Sequence, residues 1–216
     1  KKIYILFGLA RKIALSDAIN VVSKIHEPPL VIRIVLKILS ISFSNQKTKF
    51  PNVSDEEKLC KSIEGMGTTF IKLGQFLATR PDIISEKLSK QLEKLQDKVP
   101  PFSTEEAKHI LKSELGDMYN SILNLSDPIA AASIAQVHKA QINDNGTIKD
   151  VAIKILRPNI KKIFNDEIDA IMLFAFLIES FIKKTKRLKL VEVVFLLKEI
   201  TNLEMDLRFE AAAANE

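Results

Sequence analysis

The chain has 216 residues, 46% of them apolar and 27% charged, with 6 Gly, 8 Pro and no Trp, a balance that excludes a disordered protein and supports a packed, helix-rich core. Its formal net charge of +5 comes from lysines scattered among acids, as on solvated helix faces, and with no recognisable nucleic-acid module it argues against nucleic acid as a partner. The single cysteine, Cys60, excludes an internal disulfide and cannot alone build a zinc site; it reads as a small buried hydrophobe in a reducing compartment.

In chain order, Lys1-Lys2 stand before an apolar run over residues 3–10, but Arg11-Lys12 follow without a cleavage site, which argues against secretion. Residues 30–43 are apolar around Arg33 and Lys37, a stretch shorter than the ~20 residues that span a bilayer. Residues 1–50 are therefore predicted to be amphipathic helices that pack on the fold in preference to a membrane surface, broken at Glu27-Pro28-Pro29 and closed by a polar linker. Next comes a capping box, Ser54-Asp55-Glu56-Glu57, and apolar residues at Leu59, Ile63, Met66, Phe70, Leu73 and Leu77. Their steps of four and three predict one helix reaching Arg80-Pro81. Two further helices are predicted over residues 85–98 and 103–115, separated by Val99-Pro100-Pro101 and the second closed by Gly116.

The period changes after Asp127-Pro128. Residues alternate from 133 to 142, Asn143-Asp144-Asn145-Gly146 offers a turn, and Val151-Ala152-Ile153-Lys154-Ile155 continues as strand, so two or three antiparallel strands are expected. Helix resumes over residues 160–184, whose apolar stretch contains Glu179 and reads as a buried helix, and again from residue 190 to the C-terminus. The resulting division is an amphipathic segment over residues 1–50, a helical extension over 51–127 and a mixed region over 128–216.

Lys154 at the end of an apolar strand between a hairpin and a helix is the placement by which kinase N-lobes present an ammonium to ATP phosphates, although a strand-end lysine is also commonplace. Before the second strand stand Ala130, Ala131, Ala132 and Ser133, where a phosphate-covering loop would lie. Small side chains let a backbone approach an anion, and alanine keeps such a loop stiffer than glycine would. Glu204, Asp206 and Glu210 are candidate partners for the lysine; in a regular helix Asp206 and Glu210 share a face, and surface ion pairing is the plainer reading. Lys72 and Gln75 flank Gly74, which leaves a gap for close approach.

Taken together these segments resemble the UbiB family of atypical kinase-like proteins. Phe70-Ile71-Lys72-Leu73-Gly74-Gln75 is similar to its Lys-x-Gly-Gln signature, continued by Thr79-Arg80-Pro81-Asp82 and Leu95-Gln96-Asp97-Lys98-Val99-Pro100-Pro101-Phe102; residues 128–138 are similar to its alanine-rich nucleotide loop, residues 151–158 to its lysine strand, and Glu204-Met205-Asp206 with Glu210-Ala211 and Asn215 to its Glu-x-Asp and Glu-Ala elements. The resemblance implies an α+β fold, a helical extension plus a kinase-like N-lobe of small antiparallel sheet and following helices. It implies ATP with Mg as cofactor and a place in ubiquinone biosynthesis. It assigns Lys154, paired with Glu210, and Ala130 to Ser133 to the nucleotide, and sets Lys72, Gly74 and Gln75 of the extension facing Glu204 and Asp206.

Residues 155–216 contain no His, no Asp-Phe-Gly and no His-x-Asp-Pro-His-Pro-Gly-Asn stretch, so the catalytic loop, the metal ligands and the C-lobe are expected to be missing from this chain and the chain to be inactive alone. His26, His109 and His138 read as structural. The implied location is the cytoplasm or the periphery of the inner membrane, with other ubiquinone-biosynthesis proteins as partners. The competing reading is a non-enzymatic helical module that meets a partner protein or, through Lys183-Lys184-Lys186-Arg187-Lys189, an anionic membrane surface.

Overall fold

The computed structural model describes Gly8, residues 54–95 and residues 99–213. The helices expected over residues 1–50, Gly8 apart, and the match at Asn215 lie outside the described residues. The chain divides into two compact units, one of Lys1–Gln96 with Lys162–Asn202 and the other of Asp97–Lys161 with Leu203–Glu216.

In the first unit the 54–80 stretch is two helices, α1 (Asp55–Met66) and α2 (Thr68–Ala78), because Gly67 between them takes φ 107°, a conformation that L side chains avoid. Ser54 caps α1 through the amide of Glu57. The apolar positions still fall on one side: Leu59, Ile63, Met66, Phe70 and Ile71 are buried. Helix α3 (Glu86–Leu92), capped by Ser85, ends six residues before the expected boundary. There Lys94 and Leu95 amides turn back to the carbonyls of Gln91 and Leu92, the three-residue bonds that tighten and stop a last turn. Cys60 is buried with its Sγ 3.1 Å from the Gln91 carbonyl, and burial first, then the charge of Glu64, pushes its thiol up to about 11. The expectation of an inert cysteine fits that environment.

Helix α5 (Ile160–Phe181) buries Phe164, Ile168, Ile171 and Ala175, and α6 (Leu190–Glu204) buries Val193, Val194 and Leu197. The fully buried Thr69 hydroxyl donates to Glu167 at 2.6 Å, Lys198 reaches Asp169 at 2.8 Å, and the Glu179 carboxylate accepts the Val191 amide hydrogen. Among the described residues no helix is long and apolar enough to cross a membrane.

The second unit holds α4 (Thr104–Leu115) and a three-stranded antiparallel sheet of β1 (Ile122–Ala131), β2 (Ala135–Asp144) and β3 (Thr147–Leu156), in the order β1-β2-β3. Strand β1 contradicts the placement of the period change after Pro128, since it begins at Ile122 and runs through that proline. Its pairing with β2 shifts register three times, which erases the alternation a sequence reading depends on, and as an edge strand it tolerates Pro128. The β2–β3 hairpin is regular from Ala135↔Leu156 to Asp144↔Thr147. It closes through Asn145 and Gly146, both with positive φ, the two-residue turn that Asn-Gly favours. On one face Ile153 and Ile155 pack with Ala107 and Leu111 of α4 and with Phe102 and Ile122; the other face carries the candidate site. Helices following a small antiparallel sheet make the expected α+β fold.

Candidate functional site

Directly opposed residues of an antiparallel pair share a face. Val137 pairs with Ala130 on one side and with Lys154 on the other, so Ala130, Val137 and Lys154 form one rung on the face opposite α4. On this face Ala130, Val137 and Ala152 are small or apolar, Ala130 and Ala152 are exposed, and a second lysine, Lys139, stands opposite Ala152 and pairs with Asp150 at 3.7 Å. Lys154 Nζ donates to both carboxylate oxygens of Glu210, at 2.8 and 2.6 Å. With the two side chains 35% and 59% exposed, water still reaches the pair, and its stabilising value is about 0–1 kcal/mol. Such a pair holds the ammonium in place yet can admit another anion at little cost.

Glu210 is carried by α7 (Leu207–Ala213), not by an unbroken continuation of α6. The regular helix expected from residue 190 onward is interrupted at Met205-Asp206. The Asp206 amide closes α6 on the Leu203 carbonyl, and its Oδ1 accepts the Arg208 amide hydrogen at 3.2 Å, so Asp206 caps α7. The Asp206 carboxylate also takes two hydrogen bonds from the Arg208 guanidinium. Those bonds first, with the Arg208 amide, the Arg208 charge and Lys161 adding to them, hold its carboxyl at about 2. Asp206 and Glu210 therefore do not share a helix face: one ends a turn and the other crosses to Lys154. Glu204 sits exposed at the end of α6.

The alanine-rich segment spans the end of β1 and the turn into β2. Ala130 and Ala131 close β1, the Ala132 amide donates to the Ala135 carbonyl at 2.8 Å, and Ser133 is fully buried. The described non-glycine residues with positive φ are Asn145, Asn159 and Lys189, so the turn needs no glycine. What pins it is Arg157, a residue to which the sequence reading gave no role. Its Nε donates to the Ala132 carbonyl at 3.0 Å, Nη1 to Pro100 at 2.9 Å and Nη2 to Val99 at 3.0 Å. The available signal was its place just past the lysine strand, in Arg157-Pro158; its partners lie 25 to 58 residues upstream and leave no periodic trace.

His138 is fully buried on the α4 side and structural, as expected: Nδ1 lies 2.7 Å from the Ser126 carbonyl and Nε2 lies 2.8 Å from Gln136 Nε2. A single tautomer, with the hydrogen on Nδ1, satisfies both contacts. In the first unit Lys72 and Gln75 are half-buried on α2. The gap at Gly74 is filled from within that unit, because a Cβ there would run into the Leu95 side chain and come 3.3 Å from Ile63. Among the described residues no three His, Cys, Asp or Glu side chains are grouped to hold a metal ion.

Residues 94–216 match the ABC1 atypical kinase-like domain. The chain belongs to the ABC1 atypical kinase-like family. Its relatives carry the name "Probable protein kinase UbiB": that of Marinobacter nauticus is 38% identical over 77% of this chain and 30% of its own length, and that of Aliivibrio fischeri strain MJ11 is 36% identical over 78% and 31%. The relative from Shewanella baltica strain OS185 is 34% identical over 87% of this chain and 34% of its own length. The chain thus spans about a third of the curated relatives it matches. Within the ABC1 atypical kinase-like family the sheet with its strand-borne lysine is read as a kinase-like N-lobe, and the matched span includes Lys154, Glu210 and Arg157.

Proposed function

We propose that this chain provides the ATP-binding N-lobe and helical extension of an atypical kinase or ATPase of ubiquinone biosynthesis, and that it is inactive alone. The observation that carries this reading is the Lys154–Glu210 pair on an open sheet face, on the same rung as Ala130. A nucleotide fits the residues present. The Lys154 ammonium meets its phosphates, Ala130 to Ser133 cover them, and the small side chains of Ala130, Val137 and Ala152 leave room on the face. ATP supplies the phosphoryl group when bound. Lys154 orients and neutralises its anionic tail, and Glu210 holds the lysine there meanwhile. Mg would arrive with the nucleotide.

Titration calorimetry with Mg-ATP tests it. The chain is expected to bind weakly and Lys154→Ala to lose at least about tenfold in affinity, as removal of a charged phosphate contact does. Unchanged binding in that variant removes the site from this face. A second reading, a helical module for an anionic membrane surface or a partner protein, draws on Phe181, 73% exposed two residues before the basic turn Lys183–Leu188. Salt-sensitive vesicle binding that ignores Lys154→Ala favours it.

A further inference from the structure

Arg157 brings together three segments that are far apart in sequence: the Val99-Pro100 stretch, the alanine turn and the end of the lysine strand. Pro100 and Pro101 have no N–H and cannot enter a ladder, so the carbonyls around them need donors from side chains. Arg157 supplies two of these, to Val99 and Pro100, and a third to Ala132. Gln136 grips the next residue from the sheet, its Oε1 accepting the Phe102 amide hydrogen at 2.9 Å and its Nε2 donating to the Phe102 carbonyl at 3.1 Å. The Phe102 ring lies 6.0 Å from the Arg157 guanidinium carbon, the outer range of a cation–π contact. The Arg157 amide also donates to the Ile134 carbonyl. A glycine-free turn that must stay near an anion is thus held from outside, by a planar fork whose geometry matches three carbonyls.

We infer that Arg157 is a positioning residue: it fixes residues 132–134 and 99–102 as one body and favours nucleotide binding through pre-organisation, without touching phosphate. The inference rests on the nucleotide reading above for its effect on binding, but the coupling of the two segments stands or falls by itself. Three of the guanidinium's five N–H groups are engaged by backbone carbonyls, which leaves its charge poorly placed for a ligand. A lysine has the charge but cannot span three carbonyls in a plane.

The test compares the wild-type chain with Arg157→Lys, Arg157→Gln and Lys154→Ala. In native-state hydrogen exchange of the wild type, the amides of Ala132, Phe102 and Arg157 are expected to open together, which needs no variant to fold. Independent opening overturns the coupling. With Mg-ATP, Arg157→Lys and Arg157→Gln are expected to weaken binding alike, by about tenfold, with the wild-type salt dependence kept, whereas Lys154→Ala flattens it. A lysine that restores affinity, or a glutamine that flattens the salt dependence, makes Arg157 a phosphate ligand and overturns the inference. A wild-type chain that opens these amides together yet shows no ATP binding sinks the nucleotide role and the proposed function with it, leaving only the coupling.

Discussion

At Gly74 the missing side chain is what the packing requires. Alanine in mid-helix is ordinarily more stable than glycine by about 1 kcal/mol. At this position its Cβ would displace the Leu95 side chain, and Leu95 and Ile63 are both buried, so overpacking at about 1–3 kcal/mol outweighs the helical gain. Gly74→Ala is therefore expected to lower stability by ~1 kcal/mol in urea unfolding, with part of the loss recovered when Leu95→Val is added. A stabilised single variant would show that Leu95 relaxes freely. The sequence showed a gap between Lys72 and Gln75; what fills it comes from 21 residues onward, and no local pattern announces that partner. At Lys154 the residue type and its strand were legible, because strand, hairpin turn and apolar alternation are all local. The choice of Glu210 over Glu204 and Asp206 was not a local matter, since all three are acids within seven residues and the resemblance alone separated them.

Among the elements, α7 decides where Glu210 stands, and Asp206 decides where α7 begins. Asp206 is held at about 2 against its ordinary 3.8 by hydrogen bonds from Arg208. The unfolded chain therefore takes up the proton first as pH falls, so the cap's contribution is complete above about pH 4 and disappears as pH drops toward 2. NMR amide shifts of Arg208 and Phe209 are expected to report fraying of α7 over that window. Asp206→Asn should keep the cap and abolish its pH dependence; fraying that persists in this variant would assign the transition to other groups. The breaks at Gly67 and Met205-Asp206 share a cause. In each case the apolar spacing continues smoothly while one residue's backbone or side chain diverts the hydrogen bonds, and periodicity does not register such diversions.

For the molecule as a whole, binding and turnover should come apart. Residues 155–216 hold no catalytic-loop or metal-binding motif, so the chain is expected to bind Mg-ATP without releasing phosphate above background in a malachite green assay, and phosphate release lost with Lys154→Ala would contradict this. Each compact unit is assembled from two separate stretches of chain, an arrangement that follows from folding rather than from adjacency. The sequence by itself determined the helical character of residues 55–115, the β2–β3 hairpin, the strand-borne Lys154 and the family, because turn chemistry, alternation and ordered motifs are properties of neighbouring residues. Only tertiary structure decided the bulged β1, the Leu95 contact at Gly74 and the engagement of Arg157 with Val99, Pro100 and Ala132, because each depends on groups that meet across tens of residues and satisfy one another's hydrogen bonds or volume only once the chain has folded.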